Sequence, residues 1–185
     1  MNNLNFISPE IFISLSIMFL LTLGVFKKNS SSLIHSLSIM ILLITGVLIL
    51  NNPFEKNLYL FGNSYLIDNL SSLMKILTIL GGAFVLSIST KYLKISQIFL
   101  IEYPILILCS ILGMMVMISS NDLMVFYLGL ELQSLALYVL ASFNRDQLKS
   151  SESGLKYFVL SALSSGLLLR MFMIYKKIFS KGWFA

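Results

Sequence analysis

The sequence is poor in the residue types that build soluble sites. One cysteine, one histidine and three prolines occur among 185 residues, so the chain alone forms neither a disulfide framework nor a cysteine and histidine metal site. Charged residues make up only 11% of the chain, whereas soluble domains carry about 25%. A water-soluble globular domain is therefore excluded.

The few charges also exclude sites for polyanions. Thirteen bases and eight acids give a net charge of +5, but the bases are spread between apolar runs and form no patch of the kind that nucleic acid requires. Gly81-Gly82 and Gly129 lie within hydrophobic stretches and lack the context of a phosphate-binding loop. We therefore expect no nucleic-acid partner and no nucleotide site on this chain.

Apolar residues are abundant instead, at 57% of the chain, and the mean hydropathy is +0.90. A membrane-spanning helix needs about 20 mainly apolar residues. Six such stretches are separated by short connections, which leaves no room for a soluble domain. The sequence predicts an all-α, polytopic transmembrane helical bundle of about six spans, near residues 9–26, 33–50, 65–89, 102–119, 122–142 and 154–175.

The first predicted span follows Ser8-Pro9-Glu10, where Ser8 can cap the helix and Glu10 complements the positive end of its dipole.

Lysine and arginine are concentrated in alternate connections, with Lys56 alone on the opposite side. The positive-inside rule therefore predicts an N-terminus on the intermembrane or periplasmic face. Six spans would place the C-terminus on the same face, although three lysines follow the last span (Lys176, Lys177 and Lys181).

Ionisable side chains within hydrocarbon cost about 2.5–3.5 kcal/mol each, so each one needs a partner or a function. Glu131 is the strongest candidate, because Tyr127, Ser134 and Tyr138 share its helical face near the centre of the fifth span. A carboxyl group there gains a proton by desolvation and loses it when a cation approaches, as a proton relay requires. The other ionisable residues in predicted spans are Asp68, Lys75, Lys156 and Arg170.

Two lysines are candidate partners in such a relay. Lys75 lies midway along the third span and Lys156 begins the sixth, and a buried glutamate–lysine pair can exchange protons or switch partners. The alternative is a static ion pair that fixes helix register. Asp68 and Asp122 lie at span starts, where an interaction with the helix dipole is sufficient explanation.

Two segments resemble a known family. LGLELQSLALYVLASF at residues 128–143 and SESGLKYFVLSALSSGLLL at residues 151–169 are similar to the fifth and sixth helices of the subunit N (chain 2) family of NADH-ubiquinone oxidoreductase, antiporter-like membrane subunits of respiratory complex I. Asp68 to Leu80 resembles the third helix of that family, and Pro9-Glu10 the start of its first. The resemblance covers roughly residues 6–169.

The resemblance implies roles for individual residues. It places the essential intramembrane acid of the family on Glu131 and a functionally important lysine on Lys156, and Lys75 is a further relay candidate. It implies proton translocation coupled to electron transfer from NADH to quinone, with no cofactor on this chain. NADH, FMN, iron–sulfur clusters and quinone are expected on other subunits. The implied surroundings are other membrane-arm subunits and the lipid bilayer of a mitochondrial inner membrane or a bacterial cytoplasmic membrane.

The resemblance ends at Leu169. Residues 1–169 are expected to form the N-terminal part of a proton-translocating, antiporter-like membrane domain, and residues 170–185 a divergent basic tail. The family continues with about eight further helices, including lysine-bearing seventh and eighth helices, which a separate chain would have to supply. Two alternatives stay open: a subunit of a multisubunit cation/proton antiporter, and an inactive truncated structural fragment.

Overall fold

A computed structural model describes residues 7–26, 31–51, 58–95, 101–144 and 147–182. Within these ranges the chain forms six helices and one short antiparallel hairpin. The helices are α1 (Ser8–Phe26), α2 (Ser31–Leu50), α3 (Asn69–Ile95), α4 (Glu102–Ile118), α5 (Leu123–Ala141) and α6 (Leu148–Gly182), and the strands are β1 (Leu58–Leu60) and β2 (Tyr65–Ile67). All but α4, which has 17 residues, are long and apolar enough to cross a membrane. The predicted all-α membrane bundle is confirmed.

The chain divides into two compact units, Met1–Leu137 and Tyr138–Ala185. In the first unit, α1 and α3 each pack against α2 and α4, and α2 also contacts α4. Large aliphatic side chains fill the space between these helices, and the outward faces of the same helices carry equally apolar side chains that are exposed. Apolar surface on both sides of a helix is what a lipid environment requires. Fully buried members of the core include Ile13, Leu20, Leu42, Leu86 and Leu108.

The hairpin lies between α2 and α3 in the chain. Leu58 pairs with Ile67 and Leu60 with Tyr65, and the connecting turn has positive φ at Phe61 (51°), Gly62 (63°) and Asn63 (73°). This conformation is the one that glycine and asparagine adopt most readily. The third span, predicted to begin at residue 65, therefore begins at Asn69, because residues 65–67 are in a strand instead.

Main-chain hydrogen bonds attach the hairpin to the C-terminal end of α4. The Leu66 amide donates to the Ser119 carbonyl oxygen at 2.8 Å, and the Asn121 amide donates to the Ser64 carbonyl oxygen at 3.0 Å. The Asn121 side chain adds a bond from Nδ2 to the Asn63 carbonyl oxygen at 2.7 Å. These bonds hold the hairpin against the end of α4. They also position Tyr65 beside the helix ends.

Asp68 caps α3, as its place at the start of a span suggested. The Ser71 amide donates to Asp68 Oδ1 at 2.7 Å, and the Asp68 amide donates to Ser71 Oγ at 2.9 Å. These reciprocal bonds satisfy amide groups that the first turn of a helix leaves unpaired. The structure thereby gives Asp68 a structural role at the junction between the hairpin and α3.

Helices α4 and α5 approach each other closely at two glycines of the first unit. A Cβ atom built on Gly113 would lie 2.7 Å from the Gln133 backbone nitrogen, and one built on Gly129 would lie 2.9 Å from the Met117 backbone nitrogen. Only glycine leaves room for backbones to come this close, and small residues at helix crossings are typical of membrane bundles. This crossing fixes the part of α5 that carries Glu131.

The second unit contains the end of α5 and all of α6 that the structure describes. Tyr138 anchors it, since the Tyr138 hydroxyl is hydrogen-bonded to Ser161 Oγ. The Tyr138 ring also meets the rings of Tyr157 and Phe158 edge to face, at centroid distances of 5.0 and 5.6 Å. Helix α6 runs without interruption across residue 169 to Gly182.

Candidate functional site

A buried polar cluster lies where α1 and α3 begin and where α4 ends. Glu10 of α1 and Lys75 of α3 are only 7% and 4% exposed, and Lys75 Nζ lies 2.6 Å from Glu10 Oε1. Tyr65 of β2 joins them: its hydroxyl donates to Glu10 Oε1 at 2.7 Å and accepts from Lys75 Nζ at 3.1 Å. Each of the three side chains thus contacts both of the others.

Three local features bring these side chains together. Helix α1 begins at Ser8, so Glu10 lies in its first turn, and Lys75 lies in the second turn of α3 after the Asp68 cap. The hairpin pairing of Leu60 with Tyr65 turns the Tyr65 side chain inward, where it is buried. The cluster therefore depends on two helix starts and one strand, which are separated by up to 65 residues in the chain.

The charges in the cluster are compensated at short range. A buried ion pair is tolerated only when good geometry and extra hydrogen bonds offset desolvation, and here the Tyr65 hydroxyl supplies a bond to each partner. Lys75 Nζ also lies 5.1 Å from the centroid of the Tyr65 ring, within the range of a cation–π interaction. The cluster joins α1, α3 and the hairpin electrostatically.

Tyr65 lies outside the membrane-spanning helices. Burial raises the pKa of its hydroxyl well above the ordinary value, and the charge of Glu10 acts in the same direction. The phenol therefore keeps its proton at neutral pH and remains a hydrogen-bond donor to Glu10. Ser119 Oγ lies near enough to lower the pKa of Tyr65, although the Ser119 hydroxyl makes no hydrogen bond of normal geometry with a described residue.

The sequence indicates Lys75 as a buried charge but does not indicate its partner. It assigns Glu10 to the dipole of the first helix and Tyr65 to a span. The predicted topology is compatible with a contact between Glu10 and Lys75, because the first and third spans cross the membrane in the same direction. Glu10 is the third residue of α1 and Lys75 the seventh of α3, a difference in depth of about 6 Å at 1.5 Å per residue. A lysine side chain spans that distance toward the membrane surface.

Glu131 lies near the middle of α5 and is half-buried. Its carboxyl group forms no hydrogen bond or ion pair with any residue that the structure describes. Ser134, on the predicted polar face, donates its hydroxyl to the Glu131 carbonyl oxygen at 3.0 Å and so does not bind the carboxyl group. Among the described residues, no cation therefore pairs with the carboxyl group of Glu131.

Lys156 forms its ion pair within its own helix. Its Nζ lies 2.6 Å from Glu152 Oε1, and the Lys156 side chain is 71% exposed. The predicted spans leave Glu152 in a connection, whereas the structure places it in α6, one turn before Lys156. Exposed pairs at this spacing contribute less than about 1 kcal/mol, so Lys156 is free to change partner at little cost.

Within the described ranges, no group of three or more histidine, cysteine, aspartate or glutamate side chains is close enough to hold a metal ion. The chemistry that these residues offer is the binding and release of protons. Glu10 with Lys75 offers a compensated acid–base pair, and Glu131 offers an acid without a described partner.

The chain is similar to known membrane proteins. Residues 120–180 match a family profile that is described as "NADH:quinone oxidoreductase/Mrp antiporter, TM". The NADH-quinone oxidoreductase subunit N of Pelagibacter ubique is 82% identical over 169 residues, which cover 91% of this chain and 36% of that protein. The subunit N of Bartonella bacilliformis is 50% identical over 163 residues, covering 88% of this chain and 33% of that one.

The fold is also similar to a solved structure. A chain in respiratory complex I from Thermus thermophilus with bound aureothin superposes with a TM-score of 0.76 at 22% identity, over 91% of this chain and 36% of that chain. The relatives and the apolar helices together make this chain an integral membrane protein, as predicted. The chain spans about a third of the length of the relatives that it matches. Over that third, the chain is similar to the NADH-quinone oxidoreductase subunit N family.

Proposed function

We propose that the chain acts in the membrane arm of NADH:quinone oxidoreductase, where it contributes to proton translocation coupled to electron transfer from NADH to quinone. The observation that carries this proposal is the 82% identity with a protein named NADH-quinone oxidoreductase subunit N. Electron transfer itself is assigned to other subunits that hold NADH, FMN, iron–sulfur clusters and quinone. The part left to this chain is the movement of protons by intramembrane side chains.

Glu131 is the proposed intramembrane acid. It lies within residues 120–180, the segment that matches the family profile, and its carboxyl group has no described partner that would hold it in one charge state. Lys156 lies in the same matched segment and is the second relay candidate, because its exposed pair with Glu152 is weak. Lys75 is the third relay candidate, through its pair with Glu10.

Glu131→Gln should abolish most of the proton movement that depends on this chain, since glutamine keeps the shape of the side chain but cannot bind and release a proton. The measurement is NADH-driven proton uptake in membrane vesicles, alongside a native gel with mass spectrometry that shows whether the chain is assembled with other subunits. We expect normal assembly, NADH oxidation that is slowed or uncoupled, and a loss of proton uptake of about tenfold or more.

Glu102→Gln is the matched control, because Glu102 is an exposed glutamate at the start of α4. It should leave proton uptake unchanged. Equal uptake in Glu131→Gln and wild-type vesicles would remove Glu131 from the relay. Absence of the chain from the assembled complex would contradict the proposed function.

The proposed partners are other membrane-arm subunits. The support is the identity with two proteins named as subunits of NADH-quinone oxidoreductase. Mass spectrometry of the assembled band, performed for Glu131→Gln, identifies those subunits by their peptides.

The second candidate is cation/proton exchange by a multisubunit antiporter, because the description of the matching profile names Mrp antiporters as well. Proton movement driven by a sodium gradient without NADH would support it. Both relatives named above are oxidoreductase subunits, which favours the first candidate.

We propose a bacterial cytoplasmic membrane as the location, since the relatives described above are bacterial, with the start of α1 and the hairpin on the periplasmic side. The basic connections predicted for the opposite face support this orientation.

With Cys109 replaced by serine, Tyr59→Cys on the exposed face of the hairpin should react with a membrane-impermeant maleimide in intact cells. Lys91→Cys, exposed near the other end of α3, should react only after permeabilisation. The reverse labelling pattern would invert the topology.

A further inference from the structure

Glu10 Oε2 and Ser119 Oγ, both in the first unit, are buried without a hydrogen-bond partner among the described residues. Glu10 Oε1 accepts both available donors, from Lys75 and Tyr65, which leaves the second carboxylate oxygen unused. Ser119 is fully buried at the end of α4, where its carbonyl oxygen accepts from Leu66 but its hydroxyl stays unpaired.

Both residues lie beside Tyr65. Glu10 is joined to the Tyr65 hydroxyl by a 2.7 Å hydrogen bond, and Ser119 Oγ is close enough to influence it. The main chain fixes this arrangement, because Tyr65 and Ser120 form a bridge and Leu66 donates to Ser119 at 2.8 Å. The unpaired carboxylate oxygen and the unpaired hydroxyl therefore belong to one polar cluster beneath the hairpin.

An unpaired buried carboxylate oxygen is costly. Burying a polar group without a partner costs about 1–3 kcal/mol, and more for a charged group, and native proteins satisfy nearly all such groups. A carboxylate oxygen needs a donor and a serine hydroxyl can both donate and accept. A water molecule can donate to a carboxylate oxygen and also bond to a hydroxyl, and buried water typically makes about three hydrogen bonds of this kind.

We propose that a water molecule binds Glu10 Oε2 and Ser119 Oγ, and that the Glu10–Lys75 pair exchanges protons through this water at the hairpin end of the bundle. The proton exchange rests on the proposed function in proton translocation, whereas the water site does not. In the exchange, a hydronium at the site transfers its proton to Glu10 Oε2. The hydronium becomes the bound water, and the carboxylate becomes a neutral carboxyl group that no longer neutralises Lys75.

This site is distinct from Glu131. It lies on α1, α3, α4 and the hairpin, whereas Glu131 is on α5, and the two carboxyl groups share no described partner. The chain would thus hold two proton-binding carboxyl groups, one near a membrane surface and one near the centre of a span. Proton exchange at the surface is the step that loads or unloads an intramembrane relay.

Water-edited magic-angle-spinning NMR tests the site in the full chain in lipid bilayers. It measures how fast magnetisation passes from water protons to the carboxyl carbon of Glu10, which a Glu10→Gln sample assigns. We expect fast transfer despite the burial of Glu10, and several-fold slower transfer in Ser119→Ala, because the water loses one of its partners. Slow transfer in the wild-type chain would show a dry site and overturn the proposal.

Ser110→Ala is the matched control. Ser110 is also buried on α4, but its hydroxyl donates to the Ile107 carbonyl oxygen at 2.8 Å, so its removal should not change transfer to Glu10. The dipolar contact between Lys75 Nζ and the Glu10 carboxyl carbon reports whether each variant is folded. Should Ser119→Ala lose that contact, Ser119→Cys removes the hydroxyl with less change of shape, and fast transfer in a folded variant would overturn the role of Ser119. None of these measurements depends on proton pumping, so they separate this proposal from that for Glu131.

Discussion

Lys75→Met should destabilise the folded chain by about 3–5 kcal/mol, because it leaves the Glu10 carboxylate buried without a cation. Methionine has a similar length and apolar stem, so the loss of charge dominates over the loss of packing. Glu10 is 7% exposed and its nearest cation is Lys75, at 2.6 Å. Thermal or denaturant unfolding in detergent micelles, followed by circular dichroism, gives the difference in the free energy of unfolding.

The double variant Glu10→Gln/Lys75→Met should recover most of that loss. Removing both charges avoids the unpaired buried carboxylate, and replacing a buried ion pair with neutral side chains is often close to neutral overall. The coupling between the two substitutions measures the interaction directly. Lys91→Met is the control, because Lys91 is exposed on the same helix. If the single and double variants lost equal stability, Glu10 and Lys75 would not form a pair in the folded chain.

Gly113→Val should cost about 3 kcal/mol, at the upper end of the range for overpacking a tight contact. A Cβ atom at residue 113 would lie 2.7 Å from the Gln133 nitrogen and 2.9 Å from the Gly129 carbonyl oxygen. Both neighbours are backbone atoms, so no side chain can rotate away and α4 and α5 must separate. Unfolding measured as for Lys75→Met gives the cost.

Gly81→Ala is the matched control for that prediction. A Cβ atom on Gly81 would meet no atom within 4 Å in the described structure, and alanine favours a helix over glycine by up to about 1 kcal/mol. We expect unchanged or slightly higher stability. A Gly113→Val chain as stable as the wild type would show that α4 and α5 do not cross at these glycines.

The helix positions were largely predictable from the sequence. The predicted spans 33–50 and 102–119 lie within two residues of α2 and α4, because long apolar runs end at polar residues and a membrane admits few alternatives to helices. The third span was wrong at its start. Tyr65, Leu66 and Ile67 continue the apolar run of α3, and their strand conformation depends on pairing with residues 58–60 and with the end of α4.

The candidate site was predictable only in part. Glu131 and Lys75 stood out because a charge within an apolar run needs an explanation. The Glu10–Lys75 contact could not be read from helical spacing, since the two residues are 65 positions apart and on different helices. Spacing rules apply within one helix, whereas this pair depends on how α1, α3 and the hairpin meet. The roles of Glu131, Lys156 and Lys75 in proton transfer remain predictions.

The separation of Glu10 and Lys75 also constrains biosynthesis. Lys75 is made 65 residues after Glu10, which at ordinary translation rates is a delay of roughly 3 to 13 s. During that interval Glu10 lacks the cation that it pairs with in the folded chain. Its place in the first turn of α1 lets the carboxylate stay hydrated among the lipid headgroups. We therefore expect the first helix to reach its final depth only after the third has been inserted.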